Sequence, residues 1–144
     1  MLGHLAYILG GIKEIRSLRG YPVKLETAEG KVLEDSYLFG AISNSTSVGG
    51  ILTLDPSLVD MNDGLFELLL VKRPANIFDL NECILALTKQ NYESRMLEFV
   101  STRAVTITAQ PHMDWTLDGE QENGHAVVEA KNLHDAIRVI TAKR

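Results

Sequence analysis

Residue types that build special sites are scarce in this sequence of 144 residues. It contains 1 cysteine, Cys83, which excludes an internal disulfide and indicates a reducing compartment such as the cytoplasm. Cys83 falls in a helical pattern without a histidine partner motif, so we expect a buried core thiol and not a nucleophile. The 4 histidines share no ligand spacing, which argues against a zinc site.

Charge and hydropathy exclude further classes of protein. The net charge is −5 and the basic residues are scattered, so a nucleic-acid partner is not expected. No apolar stretch approaches the ~20 residues of a membrane span, and residues 1–4 do not begin a signal peptide. The chain carries neither a Gly-x-Gly-x-x-Gly motif nor a P-loop. What remains is a 45% hydrophobic composition, typical of one globular domain.

The periodicity predicts a mainly β, α+β fold, namely a β-sandwich with two appended helices. Helical spacing of apolar residues predicts one helix over 2–18 and another along 77–87, which Asn76 would cap. Hairpin turns are predicted at Glu29-Gly30 and Asn123-Gly124. The apolar run 64–72 predicts a central buried strand. Further short strands are predicted within 40–54, where a polar loop separates two of them, and over 97–100, 104–109, 113–117, 125–130 and 136–141.

Two Asp-Gly dipeptides mark the candidate site. In Leu117-Asp118-Gly119-Glu120, a carboxylate follows a tight turn. Glu120 is ordinary surface charge if it faces solvent, and a proton acceptor if it faces a cleft. Asp60 and Asp63, the latter followed by glycine, form either a solvated turn or a loop around a hard cation, to which main-chain carbonyls would add oxygen ligands.

Five segments in a fixed order carry a resemblance that covers nearly the whole chain. They are residues 2–9, Ile42-Ser-Asn-Ser45 with Gly49-Gly50, Asp55-Pro56 through Asp63-Gly64-Leu65-Phe66, residues 99–107, and Leu117-Asp-Gly-Glu120. Together they resemble the C-terminal half of the bacterial diacylglycerol kinase family, which are soluble lipid kinases related to sphingosine and NAD kinases. One departure is Asn62, which stands where the family often has a second acid.

The resemblance implies a division of roles among these residues. Glu120 would be the general base that accepts the proton of the lipid hydroxyl. Asp60, Asp63 and the carbonyl of Leu65 would hold a structural magnesium ion. Residues 1–144 would form the C-terminal, lipid-side domain of a kinase. The family's ATP-binding domain, with its Gly-Gly-Asp-Gly-Thr signature, would lie outside this chain, so we expect the chain alone to be inactive.

The implied cofactors are Mg²⁺ and ATP, with ATP bound mainly by the preceding domain. The expected partners are diacylglycerol or a related lipid, the ATP-binding domain, and a second copy of the chain in a homodimer. The expected location is the cytoplasm, peripheral to the membrane during turnover. Two other interpretations stay open. One is a related kinase for sphingoid bases, another lipid or NAD, and the other is a stand-alone, non-catalytic β-sandwich module that binds a lipid or sugar.

Overall fold

A computed structural model describes residues 15–48, 52–138 and 140. Short 3₁₀ turns lie at Ile15–Ser17 and Pro56–Leu58. The described residues also form one α-helix, α1 (Ile77–Lys89), and ten strands. The strands are β1 (Tyr21–Thr27), β2 (Val32–Ser43), β3 (Ser47–Val48), β4 (Leu52–Thr53), β5 (Phe66–Lys72), β6 (Leu97–Thr102), β7 (Ala104–Thr108), β8 (Trp115–Leu117), β9 (Glu120–Glu122) and β10 (Val127–Lys131).

Six strands form one antiparallel sheet in the order β10-β7-β1-β2-β5-β6. The turn between β1 and β2 contains Gly30, whose φ of +86° suits glycine, so the hairpin predicted at Glu29-Gly30 is confirmed. β5 lies between β2 and β6 and is buried at six of its seven positions. The prediction of a central buried strand is therefore confirmed.

The sheet carries an apolar cluster on each face because side chains along β5 alternate in direction. Leu69 and Val71 pack with the buried side of α1 and with the β3–β4 hairpin. Phe66, Leu68 and Leu70 pack on the opposite face, where Trp115 covers part of the second cluster. This mostly β, sandwich-like arrangement confirms the predicted fold class.

The helix α1 begins and packs as its sequence indicates. The Asn76 side-chain oxygen accepts hydrogen bonds from the amides of Phe78 (2.9 Å) and Asp79 (3.0 Å), which confirms the predicted cap. Cys83 is fully buried, and burial raises the pKa of its thiol to about 11, so the core-thiol prediction is also confirmed. Among the described residues, α1 and the short turns include no helix with the length and apolarity needed to span a membrane.

The hairpin predicted at Asn123-Gly124 is wrong. The chain reverses earlier, at Asp118-Gly119, and β10 pairs with β7 instead of with the strand before it. Gly124 has a different structural role from that of a turn residue. A Cβ at this position would lie 2.6 Å from the carbonyl oxygen of Pro111, so a larger residue would clash there. Its small size permits a close approach of two backbone segments.

The two ends of the chain differ in part from the prediction. Residues 136–138 and 140 are not in a strand, contrary to the strand expected over 136–141. The cause is a turn in which the Ala136 amide donates to the Leu133 carbonyl and Asp135 has a φ of +54°. Of the helix expected over 2–18, residues 2–14 lie outside the described residues, and Ile15–Ser17 form a single 3₁₀ turn.

Candidate functional site

The two aspartates of the candidate cation site shape one loop, here called the acidic loop (residues 59–65). Asp60 accepts a hydrogen bond from the Asn62 amide (2.9 Å), and Asp63 accepts one from the Leu65 amide (2.8 Å). Such bonds from a side chain to the amide two residues later are typical of aspartate in turns. Both aspartates are exposed, and each uses one carboxylate oxygen in its turn. The second oxygen of each remains available to a ligand.

Residues distant in sequence hold the acidic loop in place. The side-chain nitrogen Nδ2 of Asn132 donates to the Leu65 carbonyl at 2.7 Å, across 67 residues of sequence. The ring of His134 lies against Gly64, where an added Cβ would come within 3.2 Å of the ring. The Asn44 side chain donates to the Met61 carbonyl at 3.5 Å. Sequence analysis did not assign any of these three residues to the loop, because no local pattern reports contacts between segments so far apart.

Sequence analysis also did not assign Glu67 to this site. Glu67 follows the acidic loop in β5 and is only 2% exposed. Its Oε2 has no hydrogen-bond partner among the described residues. Burial, and secondly the charge of Asp63, raises the pKa of Glu67 above its usual range. The available signal was a single carboxylate within the otherwise apolar run of β5.

The oxygen donors of the acidic loop suit a hard cation. Two carboxylates and the Leu65 carbonyl are the ligand types that Mg²⁺ and Ca²⁺ take in proteins. The Leu65 carbonyl already accepts from Asn132, but its oxygen has a second lone pair. No group of three or more His, Cys, Asp or Glu side chains within the described residues is arranged to hold a metal. Any cation here therefore depends on main-chain oxygen or on water as well.

Glu120 lies on a separate hairpin formed by β8 and β9. Leu117 pairs with Glu120, and the two turn residues have positive φ angles, 50° at Asp118 and 91° at Gly119. Positive φ at both central positions defines a type I′ turn, which Asp-Gly favours. The predicted tight turn is therefore confirmed. The Glu120 side chain is exposed, and it makes no hydrogen bond or ion pair with any residue that the structure describes.

The hairpin contacts the body of the fold through Trp115. This side chain packs against the apolar cluster that contains Phe66, the residue directly after the acidic loop. A polar cleft of about 250 Å³ lies beside the hairpin. It is lined by Pro111, His112, Met113, Asp114, Gln121, Glu122, Asn123 and Gly124.

The structure brings together only part of the predicted site. Asp60, Asp63 and Leu65 share one loop, as the sequence order requires. Glu120 is on a different element, and no hydrogen bond or ion pair joins it to the acidic loop within the described residues. The arrangement offers a loop with two exposed carboxylates and, on a separate hairpin, an exposed carboxylate directly after a type I′ turn.

Comparison with known proteins identifies the family of this chain and supports its fold. A family model described as the YegS C-terminal NAD kinase beta sandwich-like domain matches residues 1–141. A protein named diacylglycerol kinase from Bacillus subtilis (strain 168) is 31% identical over 144 residues, covering 99% of this chain and 46% of the relative. The chain thus spans less than half of that relative's length.

Solved structures share the fold at lower identity. One described as a putative diacylglycerol kinase from Bacillus anthracis str. Sterne superimposes with a TM-score of 0.56 at 22% identity, covering 90% of this chain and 40% of its own. Another, described as a diacylglycerol kinase from the same strain, gives a TM-score of 0.58 at 23% identity, covering 88% and 42%. These likenesses support the sandwich-like fold.

Proposed function

This chain belongs to the YegS C-terminal NAD kinase beta sandwich-like domain family, and from that premise we propose that it is the lipid-side domain of an ATP- and Mg²⁺-dependent kinase. The proposed substrate is the hydroxyl of diacylglycerol or a related lipid, since a relative 31% identical is named diacylglycerol kinase. That relative is more than twice as long as the matched region, which leaves room for a separate ATP-binding domain. The observation that carries the proposal is Glu120, an exposed carboxylate on a type I′ turn.

Glu120 is the proposed general base. Transfer of a phosphoryl group to an alcohol needs positioning and charge neutralisation more than covalent chemistry from the protein. As the lipid hydroxyl oxygen bonds to the transferred phosphorus, the bond between that phosphorus and ADP breaks, ADP leaves, and the hydroxyl proton passes to the Glu120 carboxylate. Because Glu120 makes no ion pair with the described residues, this carboxylate is free to accept that proton. The turn residues Asp118 and Gly119 fix the direction from which it is presented.

Asp60, Asp63 and the Leu65 carbonyl are the proposed ligands of the magnesium ion. When bound, the cation would neutralise the acidic loop and fix its backbone next to β5. One feature supports this assignment. The Asn132 side chain holds the Leu65 carbonyl in a fixed orientation, as outer-shell residues do for metal ligands.

The proposed partners are the ATP-binding domain, the lipid at a membrane surface and a second copy of the protein. The proposed location is the cytoplasm, with peripheral contact to the membrane. Support for a contact surface comes from exposed apolar side chains near the end of the chain, where Leu133 is 70% exposed and Ile137 85%. If these side chains form one continuous apolar patch, they could form part of a contact surface.

Glu120→Gln in the full-length protein tests the proposed base. We expect kcat for lipid phosphorylation to fall by about 10²–10⁴-fold, which is the usual contribution of a positioned general base. Glu122→Gln is the matched control, because Glu122 is exposed on the same face of β9 two residues away. Its kcat should stay within about twofold of the wild type, and both variants should keep the wild-type melting temperature.

An unchanged kcat in Glu120→Gln would remove Glu120 from the mechanism. A similar loss in Glu122→Gln would show that the hairpin needs negative charge in general and no specific base. Defined diacylglycerol, sphingoid base and NAD substrates, assayed with the wild-type protein, identify the acceptor.

A further inference from the structure

The β8–β9 hairpin has few contacts with the rest of the fold. It forms a two-stranded sheet of its own, separate from the six-stranded sheet. Residues 116–123 are all exposed, and Leu117 is 61% exposed. Within the described part of the chain, no hydrogen bond or ion pair joins residues 115–122 to the six-stranded sheet. The position of the hairpin therefore depends on apolar contacts and on the two segments that connect it to β7 and β10.

Trp115 provides the apolar contact. It is the one residue of β8 and β9 that is not exposed. Its ring packs against the cluster that contains Phe66, Leu68 and Leu70, and no other side chain of the hairpin belongs to this cluster. The indole Nε1 is buried and has no hydrogen-bond partner among the described residues. The ring is thus held by packing and not by a hydrogen bond.

The base of the hairpin leaves room for it to turn. The Ala109 amide donates to the Ala126 carbonyl at 3.0 Å, which joins the two connecting segments next to the six-stranded sheet. Beyond this bond lies the polar cleft of about 250 Å³, lined by residues 111–114 and 121–124. Since the cleft is lined mainly by polar groups, it adds no apolar packing that would fix the hairpin. The contact of the Trp115 ring therefore sets the orientation of the hairpin.

Trp115 and Glu120 lie on the same face of the hairpin. Trp115 pairs with Glu122, and Leu117 pairs with Glu120. Paired residues, and residues two apart in one strand, project from the same face of a sheet. The pair that contains Glu120 lies two residues beyond Trp115, or about 7 Å along the strands. A rotation of about 10° around Trp115 would move this pair by about 1 Å, and a misplacement of that size can reduce a rate about a hundredfold.

We propose that Trp115 is a positioning residue for Glu120. When its ring is seated against the apolar cluster, the hairpin is fixed and the Glu120 carboxylate is held where it meets the acceptor hydroxyl. The inference rests on the role of Glu120 in the proposed function, and adds to it the residue that sets where this carboxylate lies. Because the ring is held by packing alone, phenylalanine should preserve most of the contact and alanine should remove it.

Steady-state kinetics of the full-length protein test this role. Trp115→Ala should lower kcat for lipid phosphorylation at least about tenfold, because the base is misplaced. The KM for ATP should stay within about twofold, since ATP is not bound by the hairpin. Trp115→Phe should restore kcat to within about threefold of the wild type. Val100→Ala is the matched control, because Val100 is partly buried against the same cluster but lies in β6. Its kcat should stay within about twofold of the wild type.

Two further measurements separate positioning from a general loss of stability. In the background of Glu120→Gln, Trp115→Ala should cause little additional loss of kcat, because residues that act as a unit are not additive. A purely structural role would give independent losses that add. Hydrogen–deuterium exchange of Trp115→Ala should increase in peptides that cover residues 113–124, while the six-stranded sheet exchanges as in the wild type.

The outcomes distinguish this inference from the proposed function. If Glu120→Gln leaves kcat unchanged, the proposed base and the role of Trp115 are both overturned. If Glu120→Gln lowers kcat but Trp115→Ala does not, the base stands and the role of Trp115 is refuted. Additive losses in the double variant, or an equal loss of kcat in Val100→Ala, also refute it. If Trp115→Ala does not fold, Trp115→Leu replaces it in the same measurements, with the same criteria.

Discussion

Gly64→Ala tests whether the acidic loop is fixed by packing against His134. Gly64 has a φ of +79°, and an L-residue in this region is strained by about 1–2 kcal/mol. The new Cβ would also lie 3.2 Å from Cγ and Nδ1 of the His134 ring, which would have to move. Gly30 is the matched control, because its φ is +86° and a Cβ there would meet nothing within 4 Å.

The expected losses in the free energy of unfolding differ because the surroundings of Gly30 and Gly64 differ. Gly30→Ala should lower the free energy of unfolding by the backbone strain alone, about 1–2 kcal/mol. Gly64→Ala should lose about 0.5–1 kcal/mol more, because residues in direct contact couple by amounts of this order. In the background of His134→Ala the extra loss should disappear, since the ring that meets the new Cβ is gone.

Urea unfolding measures these differences in the free energy of unfolding, provided that the m-value stays constant. The proteins compared are the wild type, Gly30→Ala, Gly64→Ala, His134→Ala and the double variant with both Gly64→Ala and His134→Ala. Equal losses for Gly64→Ala and Gly30→Ala would show that the His134 ring does not pack on the acidic loop. The same conclusion would follow if the extra loss at Gly64 survived His134→Ala. Gly64→Ala should also weaken Mg²⁺ binding if the loop is the cation site, whereas Gly30→Ala should not.

Two further predictions concern the N-terminal end of α1. Arg95, and then the Ala75 amide, hydrogen-bond to Asp79 and hold the pKa of its carboxyl below the ordinary 3.8. Asp79 therefore stabilises the fold above about pH 4, and this contribution is lost as the pH falls through its lowered pKa. The wild type should accordingly lose more stability between about pH 6 and pH 3 than Asp79→Asn does. Unfolding titrations that show the same acid-side slope in the variant would contradict this. Asn76→Ala should lower the free energy of unfolding by about 1 kcal/mol, because two backbone amides lose their acceptor. Asn81 is exposed in the same helix, so Asn81→Ala should change this free energy by less than about 0.5 kcal/mol. Equal effects of the two substitutions would refute the role of Asn76 as the cap.

Local signals predicted most of the elements because they need little tertiary context. The helix α1 has its apolar stripe and its cap within 14 residues, Asn76–Lys89. The turns at Glu29-Gly30 and Asp118-Gly119 contain glycines with positive φ, which few other residues can replace. Each of these features is decided by residues that are close in sequence, so the sequence pattern was sufficient.

The hairpin signal at Asn123-Gly124 failed because a dipeptide can meet more than one structural demand. The same glycine that suits a turn also permits the close approach to Pro111, and the sheet gave β10 a different partner, β7. The strand expected near the end of the chain failed for a similar reason. A turn around Asp135 ends the extended backbone there, and the periodicity of the sequence does not report it.

The sequence by itself determined the mainly β fold, the buried position of Cys83 and β5, and the tight turn that carries Glu120. These depend on periodicity, turn chemistry and hydrophobicity, which are local properties. Only the tertiary structure placed the Asn132 side chain on the Leu65 carbonyl, the His134 ring against Gly64, and the Glu67 carboxylate in a buried position without a hydrogen-bond partner among the described residues. Those contacts join segments up to about 70 residues apart, and they arise from sheet order and chain packing, which no local pattern encodes.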